Sequence, residues 1–168
     1  MQQALIIAVF MGVAAVAQAE TTAGPDRLND IVERGSHVMP FALDKTRHVF
    51  EKTPAGGIQQ VVALDLADQA QISLIRQHLS QLAARFKQGD FSGPVSIHGA
   101  DMPGVKALSA GAAQMSFSYS ELPDGAQIIY TAQDQALIAA VHRYFDAQLH
   151  DHGHHAVPGA HSLHHGRP

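Results

Sequence analysis

The run MSFSYSELPDGAQIIYTAQDQALIAAVHRYFDAQL, Met115 to Leu149, decides the fold. Its first part alternates, placing Met115, Phe117 and Tyr119 on one face of a strand with serines between them. Pro123-Asp124-Gly125 is a turn signal, and Ala126 to Thr131 returns as a second β-rich run. Thr131, with Asp134 three residues on, reads as a capping-box variant opening a helix. Ile138, Val141, Phe145 and Leu149 then recur at three- and four-residue spacing, the apolar stripe of an amphipathic helix.

The same plan stands upstream. His48 to Lys52 and Ile58 to Leu64 are β-rich runs divided by Thr53-Pro54-Ala55-Gly56-Gly57. Ile72, Ile75, Leu79, Leu82 and Phe86 share one face of a following helix, which Asp65 caps and Gly89 ends. Asp68 then falls at the third helical position, where the dipole favours an acid. Asp65, Asp68-Gln69-Ala70 and Ile72 align with Thr131, Asp134-Gln135-Ala136 and Ile138 at a constant offset of 66 residues. The expected class is therefore α+β: two β-hairpin–helix halves forming one antiparallel sheet covered by helices. Between the halves, Pro94 to His98 reads as a short extra strand. Asp101 then caps a small helix that runs through Leu108 and stops near Gly111.

The ends differ from this middle. Leu5 to Ala17 are almost wholly apolar and lead into Ala17-Gln18-Ala19, the small-x-small pattern of a signal peptidase site. Such a run is short of the roughly 20 residues that span a bilayer. The expected organisation is a signal peptide over 1–19, a flexible segment over 20–36, a single α+β domain over 37–152, and a His-rich flexible tail over 153–168. Within 20–36 a short helical turn is expected around Arg27 to Glu33. Cleavage places the mature chain in the periplasm or outside the cell, with no membrane segment left.

Composition narrows the chemistry. The absence of cysteine excludes thiolate nucleophiles, Cys zinc sites, iron–sulfur clusters and covalently attached c-type haem. A net charge of −4 with scattered basic residues argues against a nucleic-acid surface. No nucleophile elbow, His-Glu-x-x-His, phosphate loop or dinucleotide fingerprint occurs, so enzymatic activity has no sequence support. Twelve histidines are the unusual feature, and seven lie between His150 and His165.

Imidazole is the commonest protein metal ligand, so His150, His152, His154 and His155 read as a segment that captures or hands on copper or zinc. A solubilising tail is the plain alternative. His142, Asp146 and His150, each four apart, share one helix face and form a second candidate set, or else a solvated face. His37 with Met39, and His98 with Met102, pair imidazole with thioether next to prolines, a combination that favours Cu(I). His48 is placed to line the same pocket should these segments meet; core packing is the alternative for each pair. His78 borders an apolar stripe and reads as a half-buried core histidine.

Several stretches together resemble a family of small secreted proteobacterial proteins often labelled "aspartate carbamoyltransferase". They are Val38-Met39-Pro40-Phe41 with Leu43-Asp44-Lys45-Thr46, Gly57 to Val62, Leu74 to Leu79, Ile97-His98-Gly99 with Asp101 to Gly104, and Phe145 to Leu149 with Asp151 to His155. The resemblance covers about residues 37–156 and implies no mechanism. The label does not carry over, because the Ser-Thr-Arg-Thr phosphate-binding motif of true carbamoyltransferases is missing. The function expected from the residues is a periplasmic metal-binding protein, copper ahead of zinc, for storage, delivery or tolerance. Its partners would be the metal ion and a periplasmic metal-handling protein. The alternative is a non-enzymatic envelope interaction or small-ligand module, haem included, with an incidental tail.

Overall fold

The computed structural model describes residues 23–160. The expected signal peptide and the last eight residues of the expected tail lie outside the described residues. The class is α+β as read, with five helices and a five-stranded sheet among the described residues. Strands β1 (Thr46–Thr53) and β2 (Gly56–Ala63) form one hairpin, and β3 (Met115–Leu122) and β4 (Gly125–Ala132) the other. Each closes through a two-residue turn, with Thr53 facing Gly56 and Leu122 facing Gly125. The hairpins join where β2 pairs antiparallel with β4, giving the order β3-β4-β2-β1-β5.

One face of this sheet is buried. Phe50, Val61, Phe117, Ile128 and Tyr130 alternate inward, as a half-covered sheet requires. Helices α2 (Gln69–Lys87) and α5 (Gln135–His152) cover it, and they cross over. Helix α2 follows the first hairpin but packs on β3 and β4, while α5 packs chiefly on β1 and β2. Phe86 of α2 thus meets Phe117 and Tyr130, and Phe145 of α5 meets Phe50.

Each helix also fastens the turn of the hairpin it covers. Arg76 donates from Nη2 to Leu122 O (2.6 Å) and from Nε to Gly125 O (3.2 Å). His142 Nε2 donates to Thr53 O and Gly56 O, both at 3.0 Å. His142 lies 66 residues after Arg76, the offset read in the sequence, and the paired turn residues are 69 apart. The same pseudo-twofold relation links Ala63 N to Asp124 O (2.8 Å) and Ala132 N to Ala55 O (3.0 Å). The repeat is therefore architectural as well as local.

Five expectations need correction. First, the part of the expected flexible segment from Pro25 on is helical, because Pro25–Val38 form helix α1. Pro25 suits the first turn, Ile31 and Gly35 are buried, and Arg27 ties the helix to the rest of the domain. Second, Ser92–His98 is helix α3 rather than a strand. A proline in the first turn costs a helix nothing, and Ile97 and His98 are buried by packing that local β preference cannot foresee. Third, Asp101 does not cap the next helix: α4 (Val105–Gly111) starts after Gly104, which has φ +83°. Fourth, the two long helices start one turn later than read, capped by Asp68 and Asp134. Fifth, the tail does not begin at residue 153. Gly153–His155 is a 3₁₀ turn, and Ala156–Pro158 is β5, parallel to β1 with His48 beside Ala156. That strand makes the sheet mixed. Among the described residues no helix is long and apolar enough to cross a membrane.

Candidate functional site

The C-terminal turn of α5, the middle of β1 and the end of α3 meet at a cluster of buried histidines: His48, His98 and His152. His48 points inward from β1 and stacks on His152, ring centroids 4.8 Å apart and 11° from parallel. It also lies nearly parallel to Phe50, at 6.3 Å. His98 meets His152 edge-on at 5.1 Å. Burial pushes the His48 imidazole down to about 3, helped by His78, His155 and His98 nearby. His152 is likewise held well below its ordinary value by burial and by its two histidine neighbours. Near neutral pH these two rings are therefore uncharged, with lone pairs available.

Asp151 organises one side of the cluster. Its Oδ2 accepts from His98 Nδ1 (2.9 Å) and Arg27 Nη2 (2.6 Å), and its Oδ1 accepts from His150 Nδ1 (3.1 Å) and Arg27 Nε (3.3 Å). Burial alone would raise this carboxyl, but the hydrogen bonds from His98, Arg27 and His150 outweigh it and hold the group below the usual carboxylate range. An ionised carboxylate only accepts, so His98 carries its proton on Nδ1. In the neutral ring the lone pair is then on Nε2, the tautomer a carboxylate-supported metal ligand adopts. Arg27 Nη2 also donates to His98 O at 2.8 Å, fixing the backbone that carries the ring.

A cavity of about 140 Å³ opens beside the cluster. His98, His152, Met39, Gln59 and Gln148 line it, and Arg85 stands near its mouth. Gln59 accepts from the Tyr130 hydroxyl at 2.6 Å. Among the described residues one buried atom of the cluster finds no partner: His48 Nδ1 makes no hydrogen bond to them. A buried, unsatisfied polar atom costs about 1–3 kcal/mol.

The internal repeat supplies a comparison inside one chain. At the helix offset of 66, His152 corresponds to Phe86 and Gln148 to Leu82; at the strand offset of 69, His48 corresponds to Phe117 and Gln59 to Ile128. Phe86 and Phe117 make a buried contact at 5.8 Å in one half, in the place where His152 and His48 stack in the other. One half fills this position with apolar rings. The other fills it with imidazoles and amides, and leaves a ring nitrogen unpaired.

The structure therefore brings together Met39, His48, His98 and His152. Met102 is buried but lines a separate outer groove of about 600 Å³ on the far side of Asp151, with His150 and Arg143. His37 is exposed in the last turn of α1 and does not line the cavity. The set His142, Asp146 and His150 does not converge: His142 holds the β1–β2 turn, Asp146 pairs with Lys52, and His150 turns to Asp151. The rings of His154 and His155 lie 3.9 Å apart, tilted by 42°, just past α5. Among the described residues, no three or more His, Cys, Asp or Glu side chains form a ready metal-binding group. The lone pairs of stacked rings run in parallel planes, so His48 and His152 do not converge on one point.

The reading by residue missed Arg27, Gln59, Gln148 and Asp151. Gln59 was detectable, since it breaks the apolar alternation of Gly57, Val61 and Ala63 on one strand face. No family model matches the chain, and no curated protein or solved structure is similar to it.

Proposed function

We propose that this protein is an exported copper-binding protein that holds Cu(I) at the inner cavity through His98, His152 and the thioether of Met39, with His48 stacked behind His152. The observation that carries this reading is the replacement, at matching places of the repeat, of a buried Phe–Phe contact by a buried His–His stack with an unpaired nitrogen. Packing alone is satisfied by phenylalanine, so the histidines are retained at a cost to the fold. Two imidazoles and a soft sulfur suit low-coordinate Cu(I) better than zinc, which takes four ligands. The apolar leader supports export to the periplasm, where storage, delivery or tolerance would be its task, and a metal-handling protein would receive the ion.

The test is a Cu(I) competition titration against a chromogenic chelator, on protein purified without a metal column and with His161, His164 and His165 replaced by alanine. One tight equivalent is expected. Met39→Leu keeps the volume and should weaken it by about tenfold, and His98→Ala with His152→Ala should abolish it. Equal affinity in all three proteins would sink the reading. A second reading rests on Gln59, Gln81, Gln148 and Arg85 around the same cavity, which would suit a small polar ligand. A cavity of about 140 Å³ limits that ligand to a few heavy atoms and leaves no room for haem.

A further inference from the structure

His152 lines two cavities. One is the inner cavity described above, and the other is an outer cavity of about 240 Å³ beneath helix α1. The outer cavity is walled by Asp151, His152, His154 and His155 on one side and by Leu28 and Ile31 of α1 on the other. Gly153, at φ +51°, reverses the chain directly after His152 and presents His154 and His155 at this second opening. His154 is exposed and His155 half-buried, whereas His152 and His98 are buried. Arg85 also lines the inner cavity, its guanidinium held by Asp90 Oδ2 and Ser92 Oγ, both at 2.7 Å. A pair of imidazoles at an opening recruits a soft cation.

Resting on the copper reading, we propose that metal reaches the inner cavity by a two-station route. His154 and His155 take up Cu(I) at the outer cavity, and His152, the wall common to both, passes it inward to His98 and Met39. The transfer is ligand exchange at one ion: each new Cu–N bond to His152 or His98, and the Cu–S bond to Met39, forms as an outer Cu–N bond breaks, and the copper stays monovalent. The outer pair is therefore a kinetic station and not part of the final site.

The experiment follows stopped-flow transfer of Cu(I) from a chromogenic chelator into the full chain carrying the His161, His164 and His165 substitutions. Alongside it are the same chain with His154→Ala and His155→Ala, and a control with the exposed His37→Ala. The double variant is expected to load more slowly by about tenfold or more, with its equilibrium affinity unchanged, and the control to load normally. An unchanged loading rate overturns the route. A fall in equilibrium affinity places the pair in the final site and also overturns it. If the unsubstituted chain holds no equivalent at all, the copper reading fails first and the route fails with it. The equilibrium titration separates that outcome from failure of the route alone.

Discussion

Four donor atoms from three side chains converge on the carboxylate of Asp151, which stands between the inner histidines and the outer groove. At the scale of single residues this is the most connected polar group of the site. Asp151→Ala would leave the buried His98 Nδ1 without an acceptor, which costs about 1–3 kcal/mol, and the partly exposed Arg27 pair adds less. Urea unfolding of the metal-free protein should show that loss; a cost below about 1 kcal/mol, the range of an exposed pair, would contradict the role given to Asp151. His142 teaches the opposite lesson. Its spacing with Asp146 and His150 suggested ligands, yet its ring donates to two turn carbonyls, as the repeat-related Arg76 does in the other half. A histidine's role depends on which acceptor the fold places before it, and i, i+4 spacing carries no information about that.

At the scale of elements, the strands, their turns and the two long helices were legible because each has a period or a turn signal of its own. The helix starts were off by one turn. Asp68 accepts from Gln71 N (3.1 Å) and Asp134 from Ala136 N (2.6 Å), whereas Asp65 closes the preceding turn onto Ala67 N. Asp68→Ala and Asp134→Ala should each lower stability by about 1 kcal/mol, and Asp65→Ala by less. Urea midpoints of the three variants check this ranking, and an equal or larger loss for Asp65→Ala would reverse the cap assignment. Helix α3 and strand β5 escaped detection for a common reason. Seven residues with a proline in the first turn, and three residues on a sheet edge, are too short to show a period. Packing against α1 and pairing with β1 give them their form.

Across the whole molecule, burying neutral histidines couples stability to pH. His48 is held at about 3 and His78 at about 4, both chiefly by burial, against about 6.5 in the unfolded chain. A depressed folded value means the unfolded state binds more protons between those limits. The stability is complete above about pH 6.5 and is lost as pH falls toward the folded values, by about 1.4 kcal/mol per unit for each group. Urea midpoints should therefore be clearly lower at pH 5 than at pH 7.5; equal midpoints would mean the histidines are solvated or charged. What the sequence determined by itself is what repeats along the chain: the α+β class, two hairpin–helix halves, their offset, and a concentration of histidine near the end of the second helix. Tertiary structure alone decided that each helix crosses to the other half's hairpin, that Met39, His48, His98 and His152 share one place, and that Arg27 and Asp151 brace it. The physical reason is distance along the chain. Periodicity reports which face a residue takes within its own element, whereas the meeting of residues about 50 or 100 positions apart depends on how buried faces pair, and that is settled by packing.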